Sequence, residues 1–231
     1  MRLDRMLSNA HAGTRSQVKK LVKEKRVKVN GVLAKTSSMQ IDEVNDEVTL
    51  DGIPVIYEEH MYLMLHKPAG YISATEGNVP TVMDLIYEDN NGLFPCGRLD
   101  KDTEGLLLIT NDGPLAHTLL SPKHHVEKEY YVEHALDMSE DDIVRLQSGI
   151  FYNGESYKPA KVNMISPRSC TLTITEGKYH EIKFMFQALG DKVTYLKRLR
   201  MKNLVLDESL KPGEYRYLTE EEIADLKADE Q

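Results

Sequence analysis

Gly97-Arg98-Leu99-Asp100-Lys101-Asp102-Thr103-Glu104-Gly105-Leu106-Leu107-Leu108-Ile109-Thr110-Asn111-Asp112-Gly113 is the stretch that organises the chain. Its first half is charged. Its second half is the apolar run Leu106–Ile109, closed by an Asn-Asp-Gly turn signal, and it reads as a buried strand. A charged loop anchored on a buried strand is a common seat for catalytic groups, because the strand fixes where the loop begins or ends. Asp100 is the candidate carboxylate of this loop. Taken alone, an aspartate so placed is more often a turn or capping residue.

Strand-like runs and turn signals alternate on either side of this stretch. Tyr62-Leu63-Met64-Leu65 is apolar throughout, and Tyr130-Tyr131-Val132 and Cys170 through Thr175 are rich in β-branched and aromatic residues. Helical patterns cover residues 114–120, 139–148 and 180–189, and Thr219 with Glu222 predicts a capping box for a last helix reaching about Ala228. No repeat or low-complexity tract interrupts the series. The expected class is α+β: a mixed, largely antiparallel sheet with flanking helices, preceded by a small head.

The head is read as residues 1–58 and the body as 59–231, with the polar residues Glu58, Glu59 and His60 at the boundary. In the head, Leu3, Met6 and Leu7 have helical spacing and Gly13 can end that helix. Thr14 and Gln17 predict a capped second helix whose Val18, Leu21 and Val22 face a core. Arg15, Lys19, Lys23 and Arg26 recur at steps of three or four and form one stripe, with Lys20 beside it. Val27 and Val29 alternate with polar residues before Asn30-Gly31, a two-residue hairpin signal, and Val48-Thr49-Leu50 is followed by an Asp51-Gly52 turn.

The 231 residues carry a net charge of −8, unevenly distributed. Residues 1–35 hold ten lysines and arginines against Asp4 and Glu24, a local +8 that leaves −16 for the remainder. A basic head on an acidic body is the asymmetry expected of a nucleic-acid binder. A second basic cluster, Lys192, Lys197, Arg198, Arg200 and Lys202, is expected to line the RNA path, although a solvated face is its plainer meaning. No apolar run is long enough to cross a bilayer, so no membrane association is expected. Cys96 and Cys170 have no metal or redox spacing, which favours reduced thiols and a cytoplasmic setting. The adjacent His124 and His125, and the pair Asp100 and Asp102, supply too few ligands for a metal.

The head resembles the S4 RNA-binding domain, through Arg2-Leu3-Asp4 and the run from Gly13 to Gly31. The body resembles the pseudouridine synthases. Four segments carry that likeness in order: Lys67-Pro68-Ala69-Gly70, the Gly97–Gly113 loop and strand, Lys128-Glu129-Tyr130-Tyr131-Val132, and Glu176 through Lys183. Ser121-Pro122-Lys123-His124-His125, the Glu-Gly-Lys-Tyr-His run and Pro212-Gly213-Glu214-Tyr215-Arg216 are similar to the RsuA type, which modifies one uridine of 16S ribosomal RNA. Close relatives in that branch act on large-subunit RNA or tRNA.

The resemblance implies a catalytic Asp100, an active-site Tyr130 that stacks on the free uracil and takes the C5 proton, and a Lys183 that contacts Asp100. Arg98, Lys67 and Ile182 are expected around the substrate, and Arg198 matches a basic position of the family. It implies no cofactor and no metal. The expected partner is ribosomal RNA, free or in a partly assembled small subunit, met by a monomer. A non-catalytic RNA-binding assembly factor is the competing expectation. Two departures from the RsuA pattern are present, and the second bears on that alternative. His66 stands where the RsuA type has asparagine before Lys-Pro. Glu181-Ile182-Lys183-Phe184 replaces Gln-Val-Lys-Arg or Gln-Ile-Arg-Arg, adding an acid and removing a base close to Lys183.

Overall fold

The structure is a computed structural model describing residues 1–10, 12–43, 45–55, 60–88 and 92–228. The chain forms two compact units, Met1–His60 and Met61–Gln231. The boundary residues Glu58 and Glu59 lie outside the described residues.

The first unit contains helices α1 (Leu3–Asn9) and α2 (Arg15–Lys23) and strands β1 (Val27–Val29), β2 (Val32–Leu33), β3 (Val48–Leu50) and β4 (Ile53–Pro54), ordered β2-β1-β3-β4. The Thr14 hydroxyl accepts the Gln17 amide hydrogen and the Gln17 side chain accepts that of Thr14, completing the expected capping box. α1 ends at Asn9, short of Gly13. Asn30-Gly31 and Asp51-Gly52 both take positive φ, which two-residue hairpin turns of this kind require. Leu3, Leu7, Val18, Val27 and Val48 close the small core.

The second unit is built on one twisted sheet. Its strands are β5 (Tyr62–Lys67), β6 (Phe94–Pro95), β7 (Glu104–Thr110), β8 (Lys128–His134), β11 (Lys161–Ser166), β12 (Ser169–Ile174), β13 (Val193–Met201), β14 (Leu204–Val205) and β15 (Tyr215–Tyr217); β9 (Ile150–Tyr152) and β10 (Glu155–Tyr157) form a separate hairpin. The main order is β11-β12-β8-β13-β7-β5-β15. β13 and β7 run parallel, while the neighbouring pairs on either side run antiparallel. The sheet is thus mixed and largely antiparallel, as expected.

Helices α3 (Gly113–Leu120), α4 (Glu140–Ser148), α5 (Glu181–Ala188) and α6 (Glu220–Lys227) complete the unit. Successive strand residues face opposite sides. On β5 and β7, Leu63, Leu65, Leu107 and Ile109 join one core with Phe186 of α5 and Leu146 of α4. Tyr62, Met64, Leu106 and Leu108 join the other with Leu119 of α3 and Leu226 of α6. A strand covered on both faces needs continuous apolar sequence, which is what these two runs have. Asp112 caps α3, and Thr219 with Glu222 forms the capping box of α6.

β13 carries Lys197, Arg198 and Arg200 of the second basic cluster into the middle of the sheet, with Lys192 and Lys202 just beyond its two ends. Arg198 is buried and its Nε donates to the Leu106 carbonyl, 2.7 Å away. Arg200 pairs with Glu127 and Glu129, and the Lys202 ammonium is buried against the carbonyls that end α6. Arg198 and Lys202 are thus buried and bonded within the fold, and Arg200 is partly exposed but paired, so of these three only Arg200 keeps a surface that could face an RNA path. Lys197, also on β13, is only half-buried.

Candidate active site

The Gly97–Thr103 segment links β6 to β7, and its backbone is pinned from several sides. Lys67, fully buried at the end of β5, donates from Nζ to the carbonyls of Pro68 (3.0 Å), Lys101 (3.3 Å) and Thr103 (2.6 Å). The Ser73 hydroxyl donates to the Leu99 carbonyl and accepts its amide hydrogen, at 3.1 and 3.0 Å. Gly70 N–H donates to Lys101, and Thr103 N–H closes a turn onto Asp100. An ammonium with three donors saturated by three carbonyls is a clamp on the loop. Burial lowers the Lys67 pKa to about 8.

This anchoring places Asp100 in a cleft lined by Arg98, Thr103, Tyr130, His180, Ile182 and Lys183. Lys183, in the first turn of α5, has Nζ 2.9 Å from Asp100 Oδ2 and 2.6 Å from Asp102 Oδ1. Burial opposes the Lys183 charge, but hydrogen bonds to Asp102 and Asp100 outweigh it and raise the pKa. Burial likewise works against the Asp102 carboxylate and is outweighed by the same contact, which lowers its pKa. His180 Nε2 lies 3.5 Å from the other Asp100 oxygen, Oδ1.

The register of β8 turns Tyr130 into the cleft, where it is 6 % exposed, and sends the Tyr131 hydroxyl to Glu133. Burial raises the Tyr130 pKa, against a smaller opposing influence of Arg198. Ile182 is buried on the cleft wall. Arg98 is exposed at the rim and makes no ion pair among the described residues. Lys67 stands behind the loop and does not line the cleft.

The two departures have local explanations. Glu181 Oε2 accepts the backbone N–H groups of Gly177 (2.7 Å) and Lys178 (2.8 Å), so this acid fastens the preceding loop and is not shared with Lys183. Phe184 packs among Tyr152, Tyr179 and His180. His66 is buried with Nδ1 2.7 Å from the Leu210 carbonyl, and its backbone bonds to Gly213 and Glu214, so it holds the segment leading to β15.

Sequence reasoning gave no role to Ser73, Thr103 or His180. Ser73 lies in a polar loop with no local signal, since its partner is Leu99. His180 was in view inside the Glu-Gly-Lys-Tyr-His run, but its nearness to Asp100 depends on how α5 packs.

In the head, Arg15, Lys19 and Lys23 border one depression with Arg2 and Lys35. Lys20 lies 3.8 Å from Glu24. Arg26 leaves the stripe because α2 ends at Lys23, and it forms a two-pronged pair with Asp51.

Residues 61–188 match the RNA pseudouridylate synthase family and residues 1–48 match the S4 domain. An uncharacterized RNA pseudouridine synthase of Bacillus subtilis is 49% identical, covering 96% of this chain and 97% of that protein. The ribosomal small subunit pseudouridine synthase A of Haemophilus influenzae is 42% identical, covering 98% and 99%. A crystal structure of a pseudouridylate synthase superposes with a TM-score of 0.69 at 40% identity, covering 98% of this chain and 99% of that one. The chain belongs to the RNA pseudouridylate synthase family, with an S4 domain at its head. It is an isomerase of RNA.

Proposed function

We propose that the enzyme isomerises one uridine of ribosomal RNA, in the 16S molecule of the small subunit, with Asp100 as the catalytic carboxylate. The observation that carries this reading is the convergence of Asp100, Lys183 and Tyr130 on one cleft. Relatives named ribosomal small subunit pseudouridine synthase A support the choice of substrate.

The reaction breaks the N1–C1′ bond and forms C5–C1′. N1 gains a proton and C5 loses one, so no oxidant or group donor takes part. The uridine must first leave its stack, at about a few kcal/mol. Arg98, exposed at the rim and in no ion pair among the described residues, is suited to hold a phosphate or fill the vacated space. Asp100 either attacks C1′ or removes the ribose C2′ proton to give a glycal, and deuterium at C2′ separates the two by its rate effect. Lys183 holds the carboxylate in place. Tyr130 offers a flat ring to the free uracil; its burial opposes the phenolate that removal of the C5 proton would need. The head would bind folded RNA by shape and phosphate contacts through Arg15, Lys19 and Lys23. The protein acts as a cytoplasmic monomer, on free RNA or on an assembling subunit.

The test is a pseudouridine map of ribosomal RNA from cells lacking the protein, rescued with wild type or Asp100→Asn. Loss of one 16S site, restored by wild type alone, is expected. Loss of a site in large-subunit RNA would move the substrate there, and no lost site in either ribosomal RNA would point to tRNA. A site restored by Asp100→Asn would remove Asp100 from the chemistry.

A further inference from the structure

Tyr179 and His180 sit side by side in the loop before α5. Their rings stack, with centroids 3.8 Å apart and planes 17° from parallel. His180 adopts a left-handed backbone, φ 50°, a conformation uncommon for a residue with a side chain. That conformation brings its Nε2 to 3.5 Å from Asp100. Tyr179 is 74% exposed, although His180 covers one of its faces.

An exposed tyrosine is ordinarily a solvated residue without a role. This one is immobilised. Phe184 meets Tyr179 edge-on at 6.3 Å and His180 at 5.7 Å, and Tyr152 backs Phe184 at 6.1 Å. On the other side, Lys178 is tied by Nζ to the Ser156 carbonyl and Glu155. Glu181 fixes the backbone at Gly177 and Lys178. A rigid aromatic stack therefore runs from the Asp100 carboxylate to solvent.

We propose that the outer face of Tyr179 is a nucleobase subsite, which stacks a base of the substrate RNA next to the uridine held at Asp100. Withdrawing a uridine from its stack leaves each neighbouring base with one bare face. A fixed ring continuous with the catalytic carboxylate supplies the missing partner. Stacking of this kind tolerates any base and is worth about 1–3 kcal/mol. The assignment of the target uridine to Asp100 rests on the function proposed above; the stacking site itself does not.

The test is fluorescence anisotropy with a labelled single-stranded RNA of about twelve nucleotides containing one uridine, and with two further RNAs carrying an abasic residue on its 5′ or 3′ side. The full-length protein is used in the Asp100→Asn form to prevent turnover, and in these comparisons wild type means that form with Tyr179 intact. Tyr179→Ala is expected to weaken the intact RNA about 5- to 150-fold, the same 1–3 kcal/mol expressed as affinity, and Tyr179→Phe to retain binding. One abasic RNA should bind wild type more weakly by a similar factor and Tyr179→Ala with no further loss. Thermal midpoints confirm that the variants are folded. Equal affinity of Tyr179→Ala and wild type, or an abasic penalty undiminished in Tyr179→Ala, overturns the proposal. So does a wild type that does not hold this RNA, because stacking on an open ring needs no folded target. A protein that passes here but restores no pseudouridine in the cellular map keeps the stacking site and loses the proposed reaction.

Discussion

A β-carbon built on Gly105 would lie 2.2 Å from the carbonyl oxygen of Arg198, closer than packed atoms approach. The two residues face each other in the parallel pairing of β7 with β13, and Gly105 has φ 103°. Both constraints select glycine at the point where the Asp100 loop enters the sheet. Gly105→Ala is expected to destabilise the protein by at least about 3 kcal/mol, through strain and displacement of β13. Urea unfolding checks this; a change below about 1 kcal/mol would show that the two strands part easily.

Lys183 bridges Asp100 and Asp102, and the two contacts are separable. Lys183→Met is expected to lower kcat by about 100- to 1000-fold, in the range found when a charge-stabilising donor is removed from a catalytic site. Asp102→Asn should change kcat by less than about threefold, because the Asp102 side chain is 73% exposed and such pairs contribute little. Tritium release from C5-labelled RNA measures both. Equal losses would mean that the ammonium serves Asp102.

Lys67 gives an alkaline signature. Its folded pKa is held by burial at about 8, against about 10.4 for an unfolded lysine. Below pH 8 both states carry the proton and the folded state bears the full cost of burying it. Between about pH 8 and 10.4 the folded protein releases the proton while the unfolded chain keeps it, so this contribution to stability rises with pH, by about 1.4 kcal/mol per unit. The unfolding free energy of wild type minus that of Lys67→Met should therefore increase from pH 8 to 10. Activity should move the other way, because a neutral amine has two donors for three carbonyls and the clamp on the loop loosens. A difference that falls with pH would reverse the assignment.

Arg98→Ala should separate function from folding. The side chain is exposed and makes no ion pair among the described residues, so the unfolding free energy is expected to stay within about 0.5 kcal/mol. If Arg98 assists withdrawal of the uridine, kcat/KM falls by about tenfold or more, which corresponds to 1.4 kcal/mol. Unchanged kcat/KM would assign it to bulk solvation.

Much of this architecture is legible in the sequence because its signals are local. The apolar runs of β5 and β7, the capping boxes at Thr14 and Thr219, and the Asn-Gly and Asp-Gly turns depend on residues within a few positions of one another. β13 was harder to read. Val193-Thr194-Tyr195-Leu196 is a fair strand signal, but the charges after it conceal the remainder. A buried arginine reads as surface until its partner is known, and the partner of Arg198 is a carbonyl on β7. The candidate site divides in the same way. Asp100 and Lys183 were reached through resemblance to a family. The clamp at Lys67, the Ser73 contact and the inward turn of Glu181 come from packing between distant segments, and no spacing rule reports them.

The pairing of β7 with β13 also bears on when the site comes into being. Asp100 depends on Lys67 before it and on Lys183 and β13 long after it, and those contacts are non-local. Loop closure of this kind is slow and late in folding. During synthesis the head, a compact unit that ends at His60, has what it needs to fold first. The lining of the cleft extends to Leu196 on β13, so during synthesis every residue of the S4 head is in place long before the last residue of the site.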